Sequence, residues 1–135
     1  MDMGTALEIS ARGMDAQTTR LRVIAENLAN QDTIGSTPGK DPFRRRTVIF
    51  DNDIDRASGA SMIKVKKVAT DQSPFPVRYD PSHPAADANG YVRTPNINSF
   101  VEVMDMREAQ RTYDANLTML QTTRGLLSRT IDMLK

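Results

Sequence analysis

The side chains with the most potential for chemistry lie in the loop that holds the only histidine, His83. Asp80 and Asp87 flank it at spacings of three and four residues, so three candidate metal ligands lie close together in the chain. A transition-metal site needs more than one strong ligand, and a single imidazole beside two carboxylates is a poor set. A solvated loop histidine between Pro81 and Pro84 is the better interpretation.

A second acidic segment, Asp51-Asn52-Asp53-Ile54-Asp55, begins like a calcium-binding loop because its acids alternate. The segment departs from such a loop where the geometry is set. Its sixth position is Arg56, where a sharp turn needs glycine, and its twelfth is Met62, where a bidentate glutamate belongs. The segment therefore indicates a polar turn.

Two basic runs could offer a surface to phosphates or to an anionic polymer. One is Arg44-Arg45-Arg46, and the other is Lys64-Val65-Lys66-Lys67. No aromatic residues alternate with these charges for base stacking, and the net charge of the chain is only +1. We expect a solvated strand face whose charges oppose edge-to-edge pairing of sheets, and no nucleic-acid partner.

Catalytic machinery is not evident in the sequence. Cysteine is absent, which excludes disulfides, thiol catalysis, cysteine-type zinc sites and iron–sulfur ligation. No glycine-rich phosphate loop, nucleophile elbow or paired-carboxylate arrangement stands out. The sequence predicts no enzyme, no cofactor and no metal, with a small metal- or phosphate-handling enzyme as an alternative.

Proline divides the chain that must position these residues. All seven prolines lie between Pro38 and Pro95. Because proline costs about 3 kcal/mol inside a helix, the two ends can be helical and the middle cannot. We expect a mainly α fold with a small β element, its long terminal helices pairing as a coiled-coil-like hairpin. The predicted segments are an N-terminal helix in 1–30, a loop-rich β insert in 31–96 and a C-terminal helix in 97–135.

Both ends carry the apolar pattern of a helix that packs along its whole length. Ser10 and Gln17 interrupt one row of the first helix. Asn98 or Ser99 can cap the second helix, with Glu102 placed for a capping box from Ser99. The apolar positions are Leu7, Met14, Leu21, Ile24 and Leu28 near the N-terminus, and Leu117, Leu120, Leu127, Ile131 and Leu134 near the C-terminus.

The middle of the chain predicts short strands separated by turns. Residues 43–50 and 62–68 have strand composition, and shorter extended pieces follow at 75–79 and 91–93. Asn89-Gly90 is a strong turn signal. No run approaches the roughly 18–20 apolar residues of a membrane span. The first residues lack the basic region of a secretory signal, so we expect a cytosolic chain or one exported without a cleaved signal.

Three stretches resemble a known family. They are residues 25–35, which contain Asn27-Leu28-Ala29-Asn30 with Thr33 and Gly35, residues 107–116, which contain Arg111-Thr112-Tyr113-Asp114-Ala115-Asn116, and the string 80–98. The first two resemble the paired terminal signatures of the bacterial flagellar axial proteins, which comprise rod, hook and hook-associated subunits. The third, together with the short length, resembles a proximal rod subunit.

The resemblance implies a structural subunit whose terminal helices stack into concentric tubes. The rod crosses the periplasm and transmits motor torque, and its subunits leave through the flagellar type III export apparatus without a cleaved signal. The implied partners are copies of this chain, other proximal and distal rod subunits and the adaptor between the rod and the MS ring. The ends are expected to be poorly ordered in the free monomer and to fold on assembly.

Individual roles follow from the residue types. Asn27 and Asn30 can satisfy carbonyls at the helix end or adopt left-handed conformations, and Thr33 and Gly35 then turn the chain. Tyr113 suits a helix contact, and Asn116 could hydrogen-bond across it. The candidate assembly residues are Leu7, Met14, Leu21, Ile24, Asn27, Leu28, Asn30, Thr33, Gly35, Arg111, Tyr113, Asn116, Leu117, Leu120, Leu127 and Ile131. A generic coiled-coil adaptor, or an ordinary intramolecular helical hairpin, is the alternative.

Overall fold

The computed structural model describes all 135 residues and shows two long helices around four strands. The elements in order are α1 (Met3–Ala29), β1 (Arg46–Ile54), β2 (Ser61–Thr70), β3 (Val77–Tyr79), β4 (Tyr91–Arg93) and α2 (Ser99–Met133). The predicted mainly α fold with a small β element is confirmed. Neither helix combines the length and apolar composition needed to cross a bilayer.

Each helix begins at a side-chain cap. The Asp2 carboxylate accepts the backbone N–H of Thr5 at 2.7 Å, and this hydrogen bond lowers the pKa of Asp2. At α2 the Asn98 side-chain oxygen accepts the N–H of Phe100 at 3.0 Å. Asn98 is therefore the cap. The capping box expected from Ser99 is wrong, because the Glu102 carboxylate points to Arg45 and Asn27 instead.

The strands form two separate antiparallel pairs. The β1–β2 hairpin is closed at its tip by Asp55 N–H donating to Ala60 O at 2.9 Å, and at its base by Asp71 N–H donating to Arg45 O at 2.8 Å. Gly59 supplies the positive φ of 70° that the tip needs. β3 pairs with β4 so that Val77 faces Arg93 and Tyr79 faces Tyr91. The four predicted strand positions are confirmed; the ends of the first three are shifted, and the fourth, 91–93, matches.

Two compact units make up the chain. The first contains residues 1–21, 48–67 and 107–135, and the second contains residues 22–47 and 68–106. Each helix contributes residues to both units. Each of the three segments predicted from sequence, 1–30, 31–96 and 97–135, contributes residues to both units.

In the first unit α1 and α2 are antiparallel neighbours. Gly13 lies against Asn116, and Arg20 forms an ion pair with Glu108 at 3.5 Å. Within this unit the buried positions on the two helices are small or polar: Ser10, Gly13, Ala16 and Gln17 on α1, and Ala109 and Thr123 on α2. The Gln17 side-chain oxygen is buried without a hydrogen-bond partner. The rows of leucine and methionine flank this seam and are only half-buried.

The second unit buries apolar and polar side chains together. Its apolar core includes Val23, Ile24 and Val92, while Asn27 and Glu102 are buried just as completely. These two polar residues lie near the end of α1 and in the first turn of α2. Each buried polar group left without a partner would cost about 1–3 kcal/mol, so the stability of this core depends on its polar contacts.

The close approach at Gly13 generates a prediction about two helical glycines. A Cβ added at Gly13 would lie 2.8 Å from the amide nitrogen and oxygen of Asn116, whereas nothing lies within 4 Å of one at Gly125. Gly125→Ala should raise the free energy of unfolding by about 0.5–1 kcal/mol through helix propensity. Gly13→Ala should lower it, because Asn116 must move from its hydrogen bond to Thr112 O at 3.0 Å.

Urea unfolding followed by circular dichroism measures both changes. Equal stabilisation by the two substitutions would show that the helices do not approach closely at Gly13.

Candidate functional site

A buried polar cluster lies where the end of α1, the base of the β1–β2 hairpin and the start of α2 meet in the second unit. We name it the Arg45 cluster and define it as Asn27, Arg45, Asp71, Glu102 and Asp105. Glu102 is fully buried, and its carboxylate forms an ion pair with Nε of Arg45. The other guanidinium nitrogens reach Asp71 Oδ2 and Asp105 Oδ2, each at 3.4 Å. One arginine therefore joins three carboxylates from two parts of the chain.

Ionisation in this cluster follows from its contacts. Burial opposes the charge of Arg45, but the hydrogen bonds and negative charges of Glu102 and Asp71 outweigh burial and raise the pKa of Arg45. The pKa of Asp71 is lowered, first by the Ser73 hydroxyl, then by the Ser73 backbone N–H and by Arg45. Both groups are held in their charged forms, so the cluster is a set of paired charges.

Asn27 fastens the end of α1 to the start of β1. Its side-chain oxygen accepts the N–H of Arg46 at 2.9 Å, and its amide group donates to Arg46 O at 2.8 Å. The Asn27 side chain thus bonds both the backbone N–H and the backbone C=O of Arg46, as a residue of a neighbouring strand would. The same nitrogen lies 3.3 Å from Glu102 Oε2. Asn27 therefore binds the hairpin and α2, and it does not cap carbonyls of its own helix as the sequence suggested.

The remaining residues of the first signature direct the chain out of α1. Asn30 donates to Glu26 O at 2.8 Å, as expected for an amide that satisfies a terminal carbonyl. Thr33 O accepts the N–H of Phe43 at 3.0 Å. A Cβ at Gly35 would lie 2.9 Å from Lys40 O, so only glycine fits there. No residue other than glycine has a positive φ, so the left-handed alternative for the two asparagines is wrong.

The sequence did not predict the roles of Arg45 and Asn96 in this part of the second unit. Arg45 was expected on a solvated strand face, and it lies instead at the centre of the cluster. Asn96 accepts the N–H of Arg45 at 2.7 Å and donates to Asp71 O at 3.0 Å, so it closes the base of the hairpin. The one available signal was Glu102, a carboxylate within the apolar start of α2 that needs a cationic partner if buried.

The other candidate assembly residues are not gathered into one site. Ile24 is buried, while Arg111 and Ile131 are exposed. Asn116 lies in the seam, but its amide donates to Thr112 O in its own helix and not across the interface. The half-buried members are Leu7, Met14, Leu21, Leu28, Tyr113, Leu117, Leu120 and Leu127.

The candidate metal ligands serve the loop that contains them. The His83 ring accepts the N–H of Ala85 at 3.0 Å, and the Asp87 carboxylate accepts the N–H of Tyr91 at 3.0 Å. Asp80 accepts the Ser82 hydroxyl at 2.9 Å. No group of three or more His, Asp or Glu side chains is arranged to hold a metal ion. The chemistry of these residues is that of turn formation.

Comparison with known proteins identifies similar chains over nearly the whole length. A family model for the flagella basal body rod protein matches residues 7–35, and one for the flagellar basal body rod FlgEFG protein C-terminal region matches residues 88–133. The chain is 49% identical over 133 residues to flagellar basal-body rod protein FlgC of Agrobacterium fabrum, covering 98% of this chain and 96% of the relative. It is 38% identical to FlgC of Aquifex aeolicus, covering 100% and 99%. For FlgC of Salmonella typhimurium the identity is 35%, with 93% of each chain covered.

Arg45 directly precedes β1 and Arg46 is its first residue, so the two neighbouring arginines allow a matched test of the cluster. Arg45→Ala should lower the free energy of unfolding by about 3–5 kcal/mol, because it leaves the Glu102 carboxylate buried and unpaired. Arg46→Ala removes an exposed ion pair with Glu26 at 3.3 Å and should cost about 0–1 kcal/mol. Chemical denaturation of the two variants measures the difference. Equal losses would mean that Glu102 does not depend on Arg45.

The low pKa of Asp71 predicts part of the acid sensitivity. Because the folded pKa is below the ordinary 3.8, the ionised carboxylate adds stability above about pH 4. That stability is lost as the pH falls through the lowered folded pKa. Asp71→Asn should be less stable than the wild type at pH 7 and should lose less stability between pH 4 and pH 2. Thermal unfolding across this range measures the effect, and parallel pH profiles for the two proteins would contradict it.

Proposed function

Since the chain belongs to the FlgC family of flagellar basal-body rod proteins and is a structural subunit of the rod, we propose that it polymerises through outward-facing rows of its terminal helices. The polymer is a shaft that carries motor torque across the periplasm. Copies of this chain and other rod subunits are the neighbours, and the subunit has no catalytic role.

The observation that carries this proposal is the composition of the helix seam. Small and polar residues close the contact between α1 and α2 in the first unit, exemplified by Gly13 against Asn116. The leucines beside the seam stay partly exposed, so a neighbouring subunit can bury more of their surface. A chain that folded only as an isolated helical hairpin would place its largest apolar side chains in the seam.

Large apolar side chains are exposed along α2. Phe100 is 73% exposed, Met104 51% and Val103 38%, and their i, i+3, i+4 spacing places them on one face near the start of α2. Monomeric soluble proteins rarely expose extended apolar patches, and such patches mark contacts with other molecules. A rod neighbour that covers these side chains and the half-buried leucines gains the hydrophobic free energy that the monomer leaves unused.

The proposed route to the rod is the flagellar type III export apparatus. Export of this kind passes an unfolded chain through a narrow channel. The chain has no cysteine, so no disulfide opposes its unfolding. Its apolar side chains are largely half-buried, which is consistent with an ordering of the helices that is completed by neighbouring subunits.

The leucine rows give a test of assembly that is separable from folding. Leu21→Ala and Leu120→Ala each remove a half-buried side chain, so each should cost less than the roughly 2–5 kcal/mol of a fully buried leucine. Both should nevertheless strongly reduce the amount of this chain in the rod, because the neighbour loses the surface that it covers.

The matched controls are the exposed residues Arg22 on α1 and Gln110 on α2, each replaced by alanine. Quantitative mass spectrometry of purified hook–basal bodies measures incorporation, and swimming measures function. Wild-type incorporation of both leucine variants would exclude the helix rows as the assembly surface.

A further inference from the structure

The β1–β2 hairpin has two outer edges that no other strand covers. The sheet contains only these two strands, so one edge of each strand lacks a strand neighbour. A two-stranded hairpin is marginally stable alone, and an edge strand presents unpaired backbone donors and acceptors to a partner. Residues 48–67 of the hairpin lie within the first unit.

Charge is segregated between the two strands. Three of the five residues 51–55 are aspartate, whereas three of the four residues 64–67 are lysine. Asp51, Lys66 and Lys67 are exposed. The side chains of Asp53 and Lys64 are each nearly half exposed, although they form an ion pair at 3.4 Å. One edge of the hairpin is therefore acidic and the other is basic.

The charges near the tip of the acidic strand are fixed by local contacts. The Ser58 hydroxyl, followed by the backbone N–H groups of Ala57 and Ser58, lowers the pKa of Asp55 and keeps its carboxylate ionised. Arg12 of α1 approaches Asp53 at 4.0 Å. Asp51 is exposed, and its carboxylate accepts the backbone N–H of Asn52 at 2.9 Å, so its charge is met by a neutral donor and by no cation.

Apolar side chains on the same strand also lack a covering partner. Ile54 is 66% exposed and Ile49 is 39% exposed. Purely solvated edge strands are usually protected by polar or charged residues at such positions. The combination of open backbone, exposed isoleucine and charge that is only partly paired indicates a surface that another strand covers.

We propose that the hairpin joins adjacent copies of this chain head to tail, with the acidic β1 edge of one copy adding to the basic β2 edge of the next. The segregated charges select this arrangement. Symmetric pairing of two copies would place aspartate against aspartate or lysine against lysine, which is unfavourable, whereas head-to-tail pairing places opposite charges together. The lysines thus oppose pairing between two β2 edges and favour pairing of a β2 edge with the acidic β1 edge of another copy.

Head-to-tail pairing uses two different surfaces of each subunit and does not close on itself, as filament growth requires. The inference rests on the proposed function, because it needs copies of the chain to be neighbours in the rod. It adds a contact that the helix rows do not provide, namely main-chain hydrogen bonding between inserts.

Charge inversion tests the contact, with Asp55 left intact because it forms the turn. One full-length variant, Asp51→Lys with Asp53→Lys, makes both edges basic. The other, Lys64→Glu with Lys66→Glu, makes both edges acidic. In a strain that lacks the native gene, each variant alone should show rod incorporation reduced by about tenfold, because every contact between copies then pairs like charges.

Co-expression of the two variants separates a contact between copies from one within the hairpin. A basic-edged copy can pair with an acidic-edged copy, so the mixture should recover incorporation to within about twofold of wild type. The ion pair between Asp53 and Lys64 stays broken in both chains of the mixture, so its loss cannot explain a recovery.

Each result decides the proposal. Recovery in the mixture supports copy-to-copy pairing. Normal incorporation of the single variants overturns the proposal. Failure of the mixture to recover also overturns it, because the hairpin would then contact a different rod subunit or serve folding alone. Absence of the wild-type chain from purified basal bodies would instead contradict the proposed function, before any variant is compared.

Discussion

A fully buried carboxylate must find a cation, and the second compact unit depends on the pair that Glu102 forms with Arg45. The guanidinium also holds Asp71 and Asp105, so the base of the hairpin and the first turns of α2 share one charge network. Buried ion pairs add little net stability compared with apolar packing, but an arrangement that separates the partners leaves a buried charge unpaired and is strongly destabilised. Asn27 extends the same constraint to α1 through the backbone of Arg46. The cluster thereby specifies how three elements meet.

The helix seam in the first unit is held by close packing of small and polar residues and not by a network of buried charges. Gly13 and Asn116 approach too closely for a larger side chain, and the leucine rows lie beside the contact and not within it. Such a seam positions the helices while it leaves the leucines beside it partly exposed. The remaining apolar surface is then available to neighbouring subunits, which is consistent with a protein whose function is to be part of a rod.

The hairpin also has groups that the chain itself leaves partly unpartnered, and here these groups are charged. Its aspartates and lysines are separated onto two strands, and the ion pair of Asp53 with Lys64 neutralises only part of them. A subunit of a non-closing assembly needs two unlike surfaces that fit each other. In the proposed assembly, neighbouring subunits cover both the partly exposed helix rows and the hairpin edges.

Local sequence patterns were sufficient for the helices and the strands, because proline exclusion, heptad spacing and turn residues act over a few neighbouring residues. The family followed separately, from the resemblance of residues 25–35, 80–98 and 107–116 to flagellar axial proteins. Local patterns also located Asn30 and Gly35, whose contacts lie near the helix end. The partners of Arg45, Asn27 and Glu102 could not be read in this way. Arg45 looked like one more solvated arginine, and Glu102 looked like a capping residue, because each meets its partner across a separation of 57 residues. Sequence determined which elements form and which family they belong to; tertiary structure decided which charges are buried, since burial depends on what distant segments bring together.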